Sequence, residues 1–382
     1  MSNAPVFEID PAGFHADPYP TLARMQRAAP IAFVPQLRAT LICPRDVIFE
    51  QEKRIEVFSS RQPDGLMTRL MGENMMRKDG APHGAERRAC FPALSPRTVR
   101  ARWFERFQEA AGAALAELAP KGRCDLVRDY AMRVSGEALR AITGLHSLSW
   151  QEMDAVSQAM IDGIANYAGD PTVEARCIAA VARIDAAIDL ALQDPPELSL
   201  VDVQQRAGLP PDSLKANVRL AISGGQNEPR DAIAGAAWAL LQHPDQLAQV
   251  RAGKVGWQQA FEEYARWISP IGMSPREVAQ ADVVEGVRFD PGDRVFLMFG
   301  AGNRDARVFE HPDAFDITRD TRASLAFGAG PHFCAGAAAS RALIGEVALP
   351  MLFDAFPDLR LDGPVPFAGW AFRGPLSMPV AW

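Results

Sequence analysis

Apolar residues recur at every third or fourth position along four successive segments in the first half of the chain. These segments are residues 103–119, 126–142, 150–166 and 174–192, and alanine is abundant in them. Apolar residues with this spacing lie on one face of an α-helix, where they can pack against a neighbouring element. The pattern therefore predicts four consecutive amphipathic helices.

A longer helix is predicted at residues 214–241, after the turn and N-cap sequence PPDS at positions 210–213. It would contain about 28 residues and extend roughly 42 Å. Gly224 and Gly225 loosen its middle, and Pro229 has no backbone N–H to donate to the carbonyl of Gly225. We therefore expect a kink or groove at this point.

Short apolar runs of β character occur at residues 31–34, 40–42, 268–273 and 287–298. Together with the helical segments they predict a mainly α fold with a small β region. The sequence contains no repeat, no low-complexity segment and no linker. We therefore expect residues 1–382 to form a single domain.

Composition excludes several classes of protein. Hydrophobic residues make up 48% of the chain, enough for a large core, but no run reaches 18 uninterrupted apolar residues, so no membrane span is predicted. The start, MSNAPVFEID, lacks the basic and apolar regions of a secretion signal. The five cysteines are scattered and form no Cys-x-x-Cys pair, which argues against a disulfide framework or a structural zinc site. We expect a cytoplasmic protein.

The net charge of −7 gives no electrostatic reason to bind nucleic acid. Arginines nevertheless cluster between residues 87 and 106. One interpretation is a solvated helix face, and the other is a docking patch for an acidic partner. The cluster consists of Arg87, Arg88, Arg97, Arg100, Arg102 and Arg106.

Residues 327–336, FGAGPHFCAG, place Cys334 in a glycine-rich loop that opens directly into an alanine-rich helix. Backbone N–H groups and the positive end of the helix dipole would converge on the sulfur. A thiolate stabilised in this way can bind a metal as a permanent anion. Gly328, Gly330 and Gly336 stand where a side chain would block the turn or the approach of a flat cofactor. The alternative is an inert, buried cysteine.

This string matches the Phe-x-x-Gly-x-His-x-Cys-x-Gly signature of the cytochrome P450 family at every fixed position, and the chain resembles that family from about residue 14 onward. The resemblance implies the cytochrome P450 fold and haem b (iron protoporphyrin IX) as cofactor. It implies that Cys334 is the axial iron ligand and that Phe327, Gly328 and Gly336 line the haem. A thiolate ligand donates electron density to haem iron, which favours cleavage of the O–O bond.

The resemblance also implies a set of residues that bind the haem propionates. His83 and Arg87 stand four residues apart at a predicted helix start, so both side chains would reach one carboxylate. Arg276 and His332 match further positions of the family's propionate-binding set.

A second set matches the family's buried structural network. Glu263 and Arg266 match the Glu-x-x-Arg pair, and Arg319 is a candidate third member. Pairs at this spacing are common on helices, so the assignment depends on the resemblance.

The acid–alcohol pair of the family's central helix falls on Asn227 and Glu228, so the threonine is missing. In the family, that hydroxyl orders water and delivers protons during oxygen activation. Glu228 could replace it, because a carboxyl group that faces an apolar pocket has a raised pKa and can act as acid and base. The alternative is a Glu228 that faces solvent on the far side of the helix.

Two segments are candidates for the substrate pocket. The methionine-rich residues 61–78 could be core or a substrate lid. The family folds its mobile roof over the substrate at the positions of Trp150, Met153, Met160, Ile161, Ile164 and Tyr167.

The resemblance implies a monooxygenase that inserts one oxygen atom from dioxygen into a small or medium apolar substrate. A separate ferredoxin or flavodoxin and its reductase would supply the electrons. Two alternatives stay open: a peroxygenase that uses peroxide directly with Glu228 as acid–base, and a non-catalytic haem-binding sensor.

Overall fold

The computed structural model describes residues 2–166 and 169–382. Tyr167, which we predicted to belong to the pocket roof, lies outside the described residues. The described chain divides into two compact units, each assembled from three segments. The sheet unit comprises the residues up to Gln62, Gly235–Cys334 and Val365–Leu376, and the helical unit comprises Pro63–Ala234, Ala335–Pro364 and Ser377–Trp382. That residues 1–382 form a single domain stays a prediction.

The sheet unit is built on a five-stranded sheet. All four residues of its strand Ala39–Ile42 are buried, as expected for a strand that is covered on both faces. Ala39–Ile42 is parallel to Arg294–Leu297, whereas the other pairs are antiparallel. The strand order is Ile31–Val34, Ala39–Ile42, Arg294–Leu297, Ser274–Val278, Phe58–Ser59. The predicted small β region is confirmed, but the β run predicted at residues 268–273 is wrong, because Ile268 ends a helix and the strand begins at Ser274.

Short helices and two small hairpins complete the sheet unit. The hairpins pair Asp282–Val284 with Val287–Phe289 and Phe367–Ala368 with Gly374–Pro375. Trp267, on the last long helix of this unit, stacks on Trp238 with ring centroids 6.0 Å apart and planes 8° from parallel. The helices are Pro11–Ala16, Tyr19–Ala28, Arg45–Gln51, Pro244–Arg251, Trp257–Ile268, Phe299–Gly302 and the 3-10 turn Gly330–His332.

The helical unit contains all four helices predicted from the three-to-four periodicity. Their bounds are Phe104–Leu118, Met132–Thr143, Trp150–Ile164 and Pro171–Ala191. The third begins with a capping box, in which Ser149 and Glu152 satisfy each other's backbone N–H groups. The prediction of consecutive helices is therefore confirmed.

The helical unit contains further helices and a small sheet. A three-stranded sheet places Pro379–Ala381 between Arg123–Asp125 and Arg360–Leu361. The α-helices are Leu66–Met71, Gly80–Leu94, Pro96–Thr98, Leu200–Arg206, Pro211–Ser223, Ala337–Ser340, Leu349–Ala355 and Asn227–Gln242, which begins in this unit; π-helical stretches occupy Val99–Trp103, Val127–Ala131 and Arg341–Ala348, and 3-10 turns Met75–Arg77 and Ala119–Lys121.

The core of the helical unit contains part of the methionine-rich segment. Met67 and Met71 are buried in one cluster with Met153 and Met160. Met is suited to such a place because its unbranched side chain fills irregular gaps. For these two methionines the structure favours the core interpretation.

The single helix predicted at residues 214–241 is wrong in one respect, because the structure divides it into Pro211–Ser223 and Asn227–Gln242. The backbone N–H of Gly225 turns to the carbonyl of Ile222 at 3.4 Å, which closes a tight turn instead of continuing the helix. Pro229 lies in the first turn of the second helix. Backbone N–H groups in a first turn have no intrahelical acceptor, so a proline there costs no hydrogen bond. The predicted interruption is thus a complete break placed just before the proline.

Candidate active site

The cysteine loop, residues 327–334, is a doubly turned segment of the sheet unit. Gly328 and Gly330 have φ values of 70° and 61°, which residues other than glycine rarely adopt. The backbone N–H of Cys334 donates to the carbonyl of Phe327 at 2.9 Å, and that of Gly328 to Leu325 at 2.9 Å. These bonds close the loop and place Cys334 at its end, half-buried.

His332 belongs to the 3-10 turn Gly330–His332 and is half-buried. Gly336 follows the loop as the N-cap residue of helix Ala337–Ser340. Cys334 therefore stands three residues before a helix start, as the sequence predicts.

The other cysteines are poor candidates for a metal-binding thiolate. Burial raises the pKa of the Cys43, Cys90 and Cys124 thiols to about 12. It also raises the pKa of Cys177. A thiol with such a pKa stays protonated at neutral pH, and the thiolate is the form that binds metal. Exclusion of these four leaves Cys334 as the candidate ligand.

Glu263, Arg266 and Arg319 form the buried network predicted from the resemblance. Both carboxylate oxygens of Glu263 accept hydrogen bonds from Arg266, at 2.7 Å each, and both side chains are fully buried. Arg319 Nε donates to the same carboxylate at 3.3 Å. Arg319, the candidate third member, is therefore confirmed.

Asn303 connects this network to the cysteine loop. Its carbonyl oxygen accepts a hydrogen bond from Arg266 Nη1 at 2.8 Å, and its side-chain Oδ1 accepts one from the Leu325 N–H at 2.6 Å. The carbonyl oxygen of Leu325 in turn accepts a hydrogen bond from the N–H of Gly328. A chain of hydrogen bonds thus runs from the buried ion pair to the first turn of the loop.

Arg276 lies on the strand Ser274–Val278 and is 2% exposed. Its Nη2 donates to the buried carboxylate of Glu52 at 2.7 Å, a contact that the sequence did not predict. Its Nε is buried without a hydrogen-bond partner among the described residues. A donor left over in this way is suited to a carboxylate ligand, so the arginine fits a haem propionate.

His83 and Arg87 lie on helix Gly80–Leu94, four residues apart and therefore on one face. His83 Nδ1 is 2.8 Å from the carbonyl oxygen of Met75. Because a carbonyl only accepts, Nδ1 carries the hydrogen, and Nε2 could donate to a carboxylate only as imidazolium.

A polar cluster beneath His83 was missed by sequence analysis. Glu86 accepts from Lys78 Nζ at 2.5 Å and from Asn217 Nδ2 at 2.9 Å. Asn217 Oδ1 accepts from the N–H of Met75 at 2.7 Å. The cluster fixes Met75, whose carbonyl holds His83, and Asn217 carries no sequence signal for this role.

Asn227 and Glu228 are the first two residues of helix Asn227–Gln242. Asn227 Nδ2 donates to Gln158 Oε1 at 3.2 Å, and its Oδ1 is buried without a partner among the described residues. Both carboxylate oxygens of Glu228 are also buried and without such a partner, although the residue as a whole is half-buried. Burial raises the pKa of Glu228 to about 8.

The break before Asn227 is held by side chains that sequence analysis also missed. Asp154, on helix Trp150–Ile164, accepts from Gln226 Nε2 at 3.0 Å and from Arg230 Nη1 at 3.0 Å. Arg230 Nε also donates to Asp231 at 2.9 Å. These long-range contacts could not be read from spacing.

The predicted site residues divide between the two units. Arg276, Phe327, Gly328, His332 and Cys334 belong to the sheet unit. His83, Arg87, Asn227, Glu228 and Gly336 belong to the helical unit. In each unit the expected local elements are present.

Comparison with known proteins identifies the family. The family described as Cytochrome P450 matches residues 257–347. Cytochrome P450 107B1 of Saccharopolyspora erythraea is 30% identical over 322 residues, which cover 81% of this chain and 77% of that protein. The chain belongs to the cytochrome P450 family.

Other relatives cover nearly the whole chain. The epothilone C/D epoxidase of Sorangium cellulosum is 28% identical across 98% of this chain and 95% of that protein. The crystal structure of CalO2 superimposes with a TM-score of 0.89, 25% identity and 99% coverage of both chains. The cytochrome P450 fold, mainly α with a small β region, is therefore established.

Membership settles the general chemistry. The protein is an oxidoreductase, a haem-thiolate monooxygenase with haem b as cofactor. The half-buried Cys334 and the leftover Nε donor of Arg276 fit that group. Among the described residues, no helix has both the length and the hydropathy needed to cross a bilayer.

Proposed function

We propose that this cytochrome P450 inserts one oxygen atom from dioxygen into a small or medium apolar substrate and that Glu228 replaces the usual threonine in handling protons. The balanced reaction consumes one substrate, one dioxygen, two electrons and two protons, and yields the hydroxylated or epoxidised product and water. Cys334 would hold the haem iron, and His83, Arg87, Arg276 and His332 would hold its propionates. The haem supplies the oxygen-activating chemistry when bound.

The observation that carries the proposal is the buried carboxyl group of Glu228. Neither of its oxygens has a hydrogen-bond partner among the described residues, and a buried polar group without a partner is costly unless it serves a function. Desolvation raises its pKa to about 8, so the group is mostly protonated at neutral pH. A protonated carboxyl can donate a proton and take another from solvent, as a general acid near its pKa does.

Asn227 would assist without exchanging protons itself. Its Nδ2 is bound to Gln158, which leaves the buried Oδ1 to accept a hydrogen bond. An amide in this position can order a water molecule beside Glu228, because a bound water needs several polar partners. Asn227 therefore takes the place of the family's acid as a positioning group.

A second candidate function is suggested by the same carboxyl group. A peroxygenase combines substrate and hydrogen peroxide to give product and water, with no external electrons. In its ionised form, Glu228 would take a proton from one peroxide oxygen and return it to the other. The two functions differ in oxidant but share the residue.

The experiment compares the two oxidants with wild type, Glu228→Gln and the exposed control Glu105→Gln. An apolar compound chosen by its low-spin to high-spin Soret shift serves as substrate. Turnover that needs ferredoxin, reductase and reduced nicotinamide, and that falls by about 10²-fold or more in Glu228→Gln, supports the monooxygenase. Peroxide-driven turnover that depends on Glu228 supports the peroxygenase. Equal activity of wild type and Glu228→Gln with both oxidants would show that Glu228 handles no proton.

The electron donor would be a ferredoxin or flavodoxin that binds the arginine cluster. Arg100, Arg102 and Arg106 already pair with glutamates on the surface. Arg88 and Arg97 are exposed, and Phe91 between them is 59% exposed. Exposed cations that flank an exposed aromatic residue in the sequence suit an acidic partner surface.

Three predictions remain: the sensor alternative, the cytoplasmic location and the apolar substrate. We drop the sensor alternative, because the relatives of this chain are enzymes and include an epoxidase and a cytochrome P450 monooxygenase. The cytoplasmic location stays a prediction. The apolar character of the substrate is proposed from the family resemblance and from the absence of a charged anchor in the sequence.

A further inference from the structure

The residue that follows helix Arg45–Gln51 lies against the cysteine loop. Glu52 is 1% exposed, and its carboxylate contacts two separate parts of the sheet unit. Oε1 accepts the hydrogen bond from Arg276 Nη2 at 2.7 Å, and Oε2 accepts one from the backbone N–H of Ala329 at 3.4 Å. One buried carboxylate therefore connects the candidate propionate arginine to the loop that carries Cys334.

The loop also contacts the backbone of Glu52. A Cβ atom added to Gly330 would lie 2.7 Å from the carbonyl oxygen of Glu52 and 3.1 Å from its carbonyl carbon. A Cβ atom on Gly328 would lie 3.4 Å from Glu52 Oε2. The two glycines therefore let the loop approach Glu52 more closely than residues with side chains would allow.

Charge gives Glu52 a second effect. Arg276 is buried, and its Nη1 already donates to Ser274 Oγ at 2.6 Å and to the carbonyl of Pro275 at 2.9 Å. Neither acceptor carries a charge, so Glu52 supplies the countercharge of this guanidinium. A buried ion pair that loses one partner leaves an uncompensated charge, which is strongly unfavourable.

We propose that Glu52 is a positioning residue for Cys334 and sets the charge around Arg276. It holds the cysteine loop through Ala329 and limits the positive charge that Arg276 presents to the haem. The proposal rests on the assignment of Cys334 as the iron ligand. Groups that hydrogen-bond a metal ligand directly change metal affinity by about 10- to 100-fold. Because Glu52 acts on Cys334 only through the loop at Ala329, we expect the lower end of this range.

Three variants separate the two effects. Glu52→Gln keeps an oxygen acceptor for Ala329 but removes the charge, so we expect the red-shifted ferrous carbonyl band to persist while the reduction potential becomes more positive. Glu52→Ala removes both, so haem retention should fall by about tenfold and a blue-shifted carbonyl band, the mark of a lost thiolate ligand, should grow. Gly330→Ala moves the loop without changing charge and should give the carbonyl change alone.

The matched control is Glu50→Gln, two residues away, whose 60% exposed carboxylate pairs with Lys53 on the surface. It should leave spectrum, haem retention and potential unchanged. If Glu52→Ala does not fold, Glu52→Gln and Gly330→Ala still decide the question. Suppose that the wild type shows the red-shifted band. An unaltered potential in Glu52→Gln together with an unaltered band in Gly330→Ala would then contradict the role of Glu52 but not the assignment of Cys334. Absence of the band in wild type, or its persistence in Cys334→Ala, would overturn the cysteine assignment itself.

Discussion

Arg230 Nη1 donates a hydrogen bond to Oδ1 of Asp154 at 3.0 Å, and both side chains are largely buried. Asp154 lies on helix Trp150–Ile164, whereas Arg230 lies two residues after Glu228. The pair therefore holds the start of the second central helix against the helix that resembles the family's pocket roof. Because Gln226 donates to the same oxygen, one carboxylate fixes both sides of Glu228.

We expect Asp154→Asn to destabilise the protein by about 1–3 kcal/mol, because the ion pair becomes a hydrogen bond to a neutral amide and Arg230 keeps only Asp231 as an anionic partner. Turnover should fall with Glu228 still present, since the start of its helix is less well fixed. Urea unfolding and turnover of the same preparations measure the two effects. Asp189→Asn, a 58% exposed partner of Lys215, is the control. A variant as stable as this control would contradict the role of Asp154.

The raised pKa of Glu228 gives stability a definite dependence on pH. The carboxyl has a pKa of 4.5 in the unfolded chain and about 8 in the folded protein, because burial disfavours the charged form. Between these values the folded state binds a proton that the unfolded state has lost. The contribution of Glu228 to the free energy of unfolding is therefore fully present below pH 4.5 and is lost as the pH rises through about 8. The slope is up to about 1.4 kcal/mol per pH unit.

Glu228→Gln removes this titration. We expect its free energy of unfolding to decline less than that of wild type between pH 5 and pH 8, measured by denaturant titration at each pH. Glu105→Gln, exposed on a helix surface, should follow wild type. Parallel curves for wild type and Glu228→Gln would mean that Glu228 titrates alike in both states.

Glu263 accepts hydrogen bonds from two arginines and from the N–H of Asp316, and it is fully buried. Glu263→Gln leaves the buried guanidinium of Arg266 without its countercharge. We expect a loss of about 3–5 kcal/mol in the free energy of unfolding and a lower yield of haem-loaded protein. Thermal unfolding and the haem-to-protein absorbance ratio measure both. Glu310→Gln, 89% exposed, should behave as wild type, and equal stability of the two variants would contradict the network's structural role.

The arginine cluster gives a prediction about electron transfer. In the double variant Arg88→Glu with Arg97→Glu, the exposed charges are reversed without altering the core. We expect ferredoxin-supported turnover to need about tenfold more ferredoxin for half-maximal rate, with a weaker dependence on salt. Turnover with peroxide should not change. Arg322→Glu, at a 90% exposed side chain outside the cluster, is the control, and a similar response to it would argue against docking at Arg88 and Arg97.

Local features of the fold were predictable from sequence. The helices at residues 104–191 follow from apolar periodicity. Ser149, directly before Trp150–Ile164, is the N-cap of that helix. Gly224 and Gly225 predicted an interruption of the central helix. Its division into two helices depends on the turn at Gly225, which the spacing of apolar residues does not specify. The Cys334 loop and the Glu263–Arg266 pair were found because each is a short contiguous motif.

Contacts between distant parts of the chain were not predictable. Glu52 and Arg276 are 224 residues apart, and no local pattern connects them. The same is true of Asp154 with Arg230, since a charged pair on two helices shows no periodicity that distinguishes it from solvated side chains. These contacts depend on tertiary packing, because packing determines which charged side chains are buried next to each other and so neutralise each other.

The stacked pair Trp238 and Trp267 gives the sheet unit an optical signal of its own. Two indoles held nearly parallel at 6.0 Å couple their electronic transitions. We expect a paired circular dichroism signal in the far ultraviolet that disappears when helix Trp257–Ile268 leaves its place, whether or not haem is bound. Loss of cofactor and loss of packing can therefore be followed separately in one sample.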